Sequence, residues 1–293
     1  MIITIGSIKN SPGATTLAVA LAASAPGDEP VLLVDADPAG GDIGIRFGIK
    51  SVPGIATLTA AIRRNNDPKT IWTHTQQISD SLYILPGLPG IEQATVIEEM
   101  LPTVLNAICC LQATVIVDAG RLLPSFANGA LLNLSPLLIA CRPVAEELIH
   151  LRAILSTAKK LNFSFNNNID NNLTGNQEDT SCNQTTSPGI GVVMIGKRPY
   201  SSNAISKVVE QKILGYLPWD PKAANILSGQ EPMSEALPRS SYIKETFKLW
   251  QQISSLSSYA QISGQHSHSS RCANLPLAPS ALVSQSHNNI GEL

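Results

Sequence analysis

The chain has 293 residues, of which 43% are hydrophobic, and this is enough to bury the core of one α/β domain of ordinary size. Its formal net charge is only -2, so no global field attracts nucleic acid or anionic lipid. No window approaches the ~20 uninterrupted apolar residues that a membrane span needs. The five cysteines form no C-x-x-C pair, which indicates reduced thiols in a cytoplasmic protein.

Short aliphatic runs alternate along the chain with longer segments of helical composition, a pattern typical of repeated strand-helix-strand units. Most of the strand candidates are apolar throughout, as expected of strands that helices cover on both faces. The pattern predicts an α/β fold with a doubly wound, mostly parallel sheet and helices on both faces. The predicted strands are Ile2–Ile5, Val31–Val34, Leu82–Leu85, Thr114–Val117, Leu137–Ala140, Ile190–Ile195 and Ile213–Leu217, and the predicted helices are Thr15–Ser24, Ile91–Cys110, Ala145–Leu161 and Ser202–Gln211.

Two stretches lie outside this alternation. Residues 166–187 are crowded with Asn, Thr, Ser and Gln, and residues 261–293 are rich in Ser, Pro, Asn and His. Because such compositions carry too few apolar side chains to build a packed element, we predict a disordered insertion and a disordered tail. The remaining segments, 1–165 and 188–260, are predicted to form a single domain.

A loop follows the first predicted strand and leads directly into the first predicted helix. A loop of this kind aims backbone N–H groups and the positive end of the helix dipole at one point, where a phosphate is stabilised. The alternative is a tight turn in which Ser, Pro and Gly serve the backbone geometry and Thr15 caps the helix. The loop reads Lys9-Asn10-Ser11-Pro12-Gly13-Ala14-Thr15-Thr16.

Carboxylates mark the ends of two later strands. Asp35 and Asp37 close the second predicted strand, and Asp118 follows Thr114–Val117 with Gly120 two positions on. Open parallel sheets bind ligands at this edge, and carboxylate oxygens suit Mg²⁺. Each motif alone is compatible with a strand-terminal turn or a helix cap. The three motifs in this order favour a site for phosphate and metal.

With these motifs the chain resembles the MinD/ParA-like ATPases, which are P-loop NTPases whose deviant Walker A motif, K-G-G-x-G-K-T-T, aligns with residues 9–16 without a gap. The resemblance implies that Lys9 reaches the phosphates of a partner subunit across a nucleotide-sandwiched homodimer, and that Asp37 positions the attacking water. It implies that Mg²⁺ is held by Thr15, Asp35 and Asp118. It further implies that ATP is bound by Asn10, Ser11, Pro12, Gly13, Ala14, Thr15, Thr16, Gly120 and Pro218, the last within a G-x-I-P-x-D-like stretch.

The chain departs from this family pattern at the residues that carry charge and read the base. Ala14 replaces the ordinary P-loop lysine, whose ammonium stabilises the β- and γ-phosphates, so we expect weak or absent ATP hydrolysis. Gly196 stands where the family has an asparagine that reads adenine. Arg121 can supply the lost charge, although a surface or structural arginine is the simpler interpretation.

Near the end of the sequence, Ile243, Phe247, Trp250 and Ile253 recur at helical spacing and form one apolar stripe. In MinD a C-terminal amphipathic helix binds the membrane. We favour a helix packed on the sheet, because only two lysines border the stripe and interfacial helices are usually more basic. The sparse basic pairs give no strong signal for nucleic-acid binding.

The resemblance implies a cytoplasmic switch in which ATP and Mg²⁺ close a homodimer that positions or regulates another cellular assembly, of the chromosome-partitioning or septum-site type. Its protein partner is not identified by the sequence, and peripheral contact with the inner face of the membrane is left open but not favoured. Any enzymatic activity is expected to be weak conversion of ATP and water to ADP and phosphate. One alternative is a pseudo-ATPase scaffold that binds no nucleotide. Another is a metabolic ligase, which requires a substrate domain or a Cys/His pair that the sequence does not show.

Overall fold

We examined a computed structural model of the chain. It describes residues 1–9, 13–64, 70–90, 94–122, 135–160, 189–196, 199–232, 234 and 236–264.

Among the described residues, eight strands form one sheet with the order β3-β4-β2-β5-β1-β6-β7-β8. Neighbouring strands are parallel, except that the short edge strand β3 runs antiparallel to β4. The predicted mostly parallel sheet is therefore confirmed. The strands are β1 (Ile2–Ser7), β2 (Val31–Asp35), β3 (Gln76–Gln77), β4 (Leu82–Leu85), β5 (Thr114–Arg121), β6 (Leu137–Cys141), β7 (Ile190–Ile195) and β8 (Ile213–Leu217).

The helices cover both faces of the sheet, as the apolar strands predicted. They are α1 (Ala14–Ala23), α2 (Ile43–Arg46), α3 (Ile55–Arg64), α4 (Thr70–Thr73), α5 (Ala94–Ile108), α6 (Ala145–Lys160), α7 (Ser202–Val209), α8 (Pro221–Leu227) and α9 (Ser241–Gly264), with a 3₁₀ turn at Leu237–Arg239.

Successive strand residues contribute to opposite cores, because side chains along a strand alternate between the two faces. In β2, Leu33 belongs to a core shared with α1, α8 and α9, whereas Leu32 and Val34 belong to a core shared with α3 and α5. In β6, Leu138 faces the first of these cores and Ile139 faces a third, built with α6 and α7. This two-sided burial explains why most of the strands are apolar along their whole length.

Helix α1 lies in the middle of one face and is apolar on all sides, as expected of a helix that is covered by neighbours. Its residues from Leu17 to Ala22 are buried, and it contacts β1, β2 and β5 as well as α8 and α9. The helix ends at Ser24, whose hydroxyl donates to the Ala20 carbonyl at 2.6 Å. The first predicted helix is thus placed where its N-terminus faces the edge formed by the carboxyl ends of the strands.

Helix α9 buries most of the apolar stripe near the end of the sequence. Ile243, Trp250 and Ile253 are buried, Phe247 is 48% exposed, and the Trp250 indole Nε1–H donates to the Leu21 carbonyl at 3.2 Å. The preferred interpretation of this stripe, a helix packed on the rest of the fold, matches this packing. Among the described helices, none is long and apolar enough to cross a membrane.

Some elements differ from the sequence prediction. Strand β5 continues to Arg121 because Arg121 pairs with Ser7 of β1, so Asp118 and Gly120 lie within the strand and not beyond its end. Helices α2, α3, α4 and α8 and strand β3 were not predicted, although Ile55, Leu58 and Ile62 give α3 a buried helical face. The predicted insertion at 166–187 lies outside the described residues, as does the predicted tail apart from the part of α9 that reaches Gly264.

Candidate functional site

The candidate site lies where three adjacent strands, β2, β5 and β1, end beside the first turn of α1. Asp35 of β2 pairs in register with Asp118 of β5, so the two carboxylates are neighbours across the sheet. The sheet order therefore brings together residues that are more than eighty positions apart in the sequence, as the carboxyl edge of an open α/β sheet does in general.

Helix α1 begins at Gly13, whose φ of 96° lies in the left-handed region that favours glycine. The Gly13 carbonyl accepts the first helical hydrogen bond, from the Leu17 N–H at 2.9 Å. The N–H groups of the first turn have no acceptor within the helix and so point toward a ligand. Ala14 is only 6% exposed and packs into the core, so it brings no charge to this turn. Lys9 is partly buried just before the loop, and Asn10, Ser11 and Pro12 lie outside the described residues.

Thr15 lies inside the first turn of α1 and does not cap the helix, because the capping position belongs to Gly13. The alternative interpretation of Thr15 as a helix cap is therefore wrong. Its hydroxyl lies close enough to the Asp118 carboxylate to oppose the rise in the pKa of that carboxylate. Thr15 and Asp118, which were predicted to share a metal ion, are thus direct neighbours.

Asp118 is fully enclosed by the fold. Burial raises the pKa of Asp118 to about 6, opposed by the Thr15 hydroxyl, by a hydrogen bond from the Gly120 N–H and by the positive charge of Arg46. The Gly120 N–H reaches Asp118 Oδ1 at 3.0 Å. A carboxylate that is buried yet held by donors keeps its place and remains available to a cation.

Asp35 is buried next to Asp118, in an environment that disfavours the charged carboxylate more strongly. Burial raises the pKa of Asp35 to about 8, and the charges of Asp118 and Asp37 add to the rise. One oxygen, Oδ2, accepts the Ile43 N–H at 3.0 Å, while Oδ1 is buried with no hydrogen-bond donor among the described residues. A buried carboxylate oxygen without a donor is costly unless a cation or another donor satisfies it.

Asp37 lies against Gly120. Gly120 has a φ of 56°, and a β-carbon at this position would overlap the Asp37 carboxylate, so only glycine leaves room for it. The Ala39 N–H donates to Asp37 Oδ1 at 2.8 Å, and burial raises the pKa of Asp37 above its usual value. Asp42 occupies the position before α2, but its side chain caps nothing.

The donor set fits a magnesium ion that is shared with phosphate. The described residues contain no group of three or more His, Cys, Asp or Glu side chains arranged to hold a metal alone. Mg²⁺ commonly uses one or two protein carboxylates and completes its octahedron with water and substrate phosphates. The oxygen atoms of Thr15, Asp35 and Asp118, with the unsatisfied Asp35 Oδ1 among them, are compatible with that mode of binding.

A cleft of about 180 Å³ adjoins the first turn of α1. Gly13 and Thr16 line one side of it, and the turn after β8 lines the other through Pro218 and Trp219. Pro218 is therefore placed beside the loop, as the resemblance implies. Trp219 is 66% exposed, and the sequence analysis did not single it out. Trp219 could have been predicted from the sequence, because it is an aromatic residue directly after Pro218 in the predicted ligand-binding turn.

Gly196, where the resemblance implies an asparagine that reads adenine, follows Ile195, the last residue of β7, which lines this cleft. Its φ is 109°, its N–H donates to the Leu217 carbonyl at 2.9 Å, and a β-carbon there would lie 4.0 Å from the Trp219 ring. Lys197 and Arg198 lie outside the described residues. The described part of this region thus offers an aromatic ring beside the cleft, with no side chain at Gly196 to read a base.

The two arginines near the site are placed differently. Arg121, considered as a source of the missing charge, ends β5 with an exposed side chain and has no hydrogen bond to the described part of the loop. Arg46, at the end of α2, donates from Nη1 to the Thr16 hydroxyl at 3.3 Å. No spacing pattern in the sequence indicates Arg46, because its approach to α1 depends on how α2 packs.

The sheet order and the helices over both faces define an α/β fold that known structures share. The chain resembles a ParA family ATPase from Chlorobium tepidum TLS with a TM-score of 0.66 and 22% identity, over 85% of this chain and 97% of that one. It resembles MinD of Pyrococcus horikoshii OT3, solved with Mg-ADP, with a TM-score of 0.62 and 19% identity, over 88% and 98% of the two chains. A putative plasmid partition protein from Borrelia burgdorferi B31, bound to AMPPNP, gives 0.60 and 18%, over 88% and 98%.

No protein-family model matches the sequence, and no curated protein matches it either. The structural likeness therefore stands at the level of the fold: the chain has the MinD/ParA-like fold of the P-loop NTPases.

Proposed function

We propose that this chain is a MinD/ParA-like switch protein, in which ATP and Mg²⁺ drive the formation of a homodimer that positions or regulates another cellular assembly. The assembly is of the chromosome-partitioning or septum-site type, and the output is conformational, with weak or absent ATP hydrolysis. We place the protein in the cytoplasm, acting through a protein partner. Peripheral contact with the membrane is not part of the proposal, because α9 uses its apolar stripe for packing.

The observation that carries the proposal is the cluster of Thr15, Asp35, Asp37 and Asp118 at the N-terminus of α1. Three carboxyl groups are gathered there, and one buried oxygen, Asp35 Oδ1, has no donor among the described residues. Such a cluster destabilises the ligand-free fold, because buried carboxylates repel one another and a buried oxygen without a donor is costly. We take its presence as a sign that the carboxylates bind a ligand. A cation bound together with phosphate fits this cluster, since the cation satisfies the carboxylates and the α1 amides stabilise the phosphate.

Each residue has a proposed role. Thr15, Asp35 and Asp118 hold Mg²⁺, Asp37 positions water for the slow hydrolytic step, and Lys9 contacts the phosphates bound to the partner subunit. When bound, Mg²⁺ neutralises charge on the phosphates. The cleft between α1 and Pro218 receives the adenosine part, with Trp219 as an aromatic wall, since ring stacking tolerates any base.

A second candidate function is a pseudo-ATPase scaffold that uses the same fold without nucleotide. Ala14 and Gly196 favour it, because one removes the phosphate-binding ammonium and the other removes the base-reading amide. The two candidates differ in one measurable property, which is nucleotide binding.

Equilibrium titration with ATP and Mg²⁺, followed by Trp219 fluorescence and accompanied by sedimentation velocity, separates the two. We expect saturable binding and a nucleotide-dependent shift from monomer to dimer. Trp219→Phe identifies the fluorescence change that arises in the cleft. Absence of binding at millimolar ATP, by calorimetry as well as fluorescence, would leave the scaffold as the better account.

Lys9 provides the test of the dimer. We expect Lys9→Ala to abolish ATP-dependent dimerisation, because the ammonium acts on the partner's phosphates. The affinity of the monomer for ATP should stay within about threefold of the wild-type value, where a tenfold change would correspond to about 1.4 kcal/mol. Lys50→Ala is the matched control, since Lys50 is an exposed lysine away from the loop. A Lys9→Ala protein that dimerises as the wild type does would remove Lys9 from its proposed role.

A further inference from the structure

The first turn of α1 carries Ala14 where the family has a lysine, but another residue brings a positive charge close to this turn. Ala14 is buried in the core, so its methyl group leaves a phosphate at the helix N-terminus with backbone amides alone. Backbone N–H groups and the helix dipole supply only part of the stabilisation that a full positive charge supplies. A phosphate bound at this turn would therefore be stabilised further by a cation from another element of the chain.

Arg46 is that cation. Its Nη1 donates to the Thr16 hydroxyl at 3.3 Å, and Thr16 also lines the cleft beside Gly13. Its charge is felt at Asp118 on the other side of the same turn. Within the described part of the chain, no carboxylate lies within 4.0 Å of the Arg46 guanidinium to form an ion pair with it. Within the described residues, the guanidinium thus lies beside the first turn of α1 with the neutral Thr16 hydroxyl as its hydrogen-bond acceptor.

The backbone of Arg46 is fixed from two sides, which sets the direction from which the side chain reaches the loop. Helix α2 starts where the Ile43 N–H donates to Asp35 Oδ2 at 3.0 Å, and the Arg46 N–H donates to the Asp42 carbonyl at 3.0 Å. On the other side, Gly229 packs so closely on the Arg46 carbonyl that a β-carbon at Gly229 would collide with it. The arginine is therefore carried by an element anchored on Asp35, a proposed metal ligand.

We propose that Arg46 binds the phosphates of the nucleotide and supplies, from α2 of the same chain, the charge that the missing P-loop lysine supplies elsewhere. This inference rests on the proposed nucleotide binding. A guanidinium suits the task, because its planar fork donates two parallel hydrogen bonds to phosphate oxygens and keeps its charge at all physiological pH values. When the nucleotide binds, Arg46 no longer donates to the Thr16 hydroxyl. It donates to a phosphate oxygen instead.

The test is equilibrium binding of ATP with Mg²⁺ by isothermal titration calorimetry, on the full chain. We expect Arg46→Ala to weaken binding tenfold or more, and Arg46→Lys to fall between Arg46→Ala and the wild type, because an ammonium restores the charge but not the fork. Arg121→Ala is the matched control, an exposed arginine of the same sheet edge, and should bind within about twofold of the wild type.

The outcomes separate this inference from the proposed function. If the wild type binds no ATP, the proposed function fails, and the role of Arg46 fails with it. If the wild type binds ATP and Arg46→Ala binds equally well, only the role of Arg46 is overturned. Thermal unfolding of each variant checks the fold. Should Arg46→Ala unfold, Arg46→Met keeps the apolar stem without the charge, and a wild-type affinity in that variant would likewise overturn the proposal.

Discussion

Asp35 occupies a position that disfavours its own charge. It is buried beside Asp118, and only one of its oxygens has a donor among the described residues. Because the pKa is about 8 in the folded chain and 3.8 in the reference state, the folded protein binds more protons than the unfolded one between these values. The contribution of Asp35 to stability is thus greatest below the lower value and is lost as the pH rises toward the upper one.

We therefore expect Asp35→Asn to stabilise the ligand-free protein at pH values near 8, by on the order of 2 kcal/mol, and to have little effect near pH 4. The amide cannot ionise, so the variant lacks the penalty that the wild type acquires as the pH rises. Thermal or urea unfolding of both proteins across this range measures the difference. Asp80→Asn, at an exposed carboxylate, is the control and should show no such trend. A stability difference that stays constant with pH would contradict the expectation.

At the scale of elements, the packing of α9 on α1 joins the end of the described chain to the helix that forms the site. Trp250 is buried, and its indole donates to the Leu21 carbonyl near the C-terminal end of α1. The Leu21 carbonyl also accepts the Ser24 N–H at 3.3 Å, so the indole is a second donor to this carbonyl and ties α9 to the last turn of α1. The α1 helix is thus supported at one end by α9, while its other end faces the site.

Trp250→Phe should destabilise the protein by about 1–3 kcal/mol, because it removes the indole N–H and leaves space in the core. Urea unfolding followed by far-UV circular dichroism gives the change. Lys244→Ala, an exposed position on the same helix, should change stability by no more than about 0.5 kcal/mol. Equal effects of the two substitutions would show that α9 packs more loosely than described.

The elements also show what sequence reasoning can recover. The β-sheet was predictable because strands buried on both faces must be apolar, and the carboxylates at Asp35 and Asp118 were visible because they interrupt those runs. The continuation of β5 to Arg121 was not, since the apolar run ends at Val117 and the later residues belong to the strand only through pairing with neighbouring strands. The approach of Arg46 to Thr16 depends on tertiary packing of a four-residue helix, which no periodicity reveals. The roles of residues 9–16 as ATP ligands remain a prediction.

At the scale of the whole molecule, the order of strands in the sheet predicts how strongly each strand is protected from local opening. Strands β5 and β1 have a neighbour on each side and helices over both faces, whereas β3 pairs only with β4 and has two residues. Local opening is easiest where few buried contacts must be broken.

Amide hydrogen exchange should therefore be slowest in β1 and β5 and fastest in β3. Peptide-resolved mass spectrometry of the ligand-free protein measures it, with peptides of β4 as the internal reference between the two extremes. Protection of β3 equal to that of β5 would mean that this edge is covered by something other than the described fold.

The central place of β1 has a consequence for how the protein is made. Ile2 pairs with Val115, and Thr4 pairs with Leu137 and meets Ser135 through a hydroxyl hydrogen bond of 2.6 Å. Because β1 precedes β5 and β6 by more than a hundred residues, it has no strand partner in the nascent chain until those residues have been synthesised. Contacts of such long sequence separation close large loops and slow folding. The nascent chain consequently exposes this apolar strand until β5 and β6 have been synthesised, and its yield in cells should depend on chaperones that shield that strand.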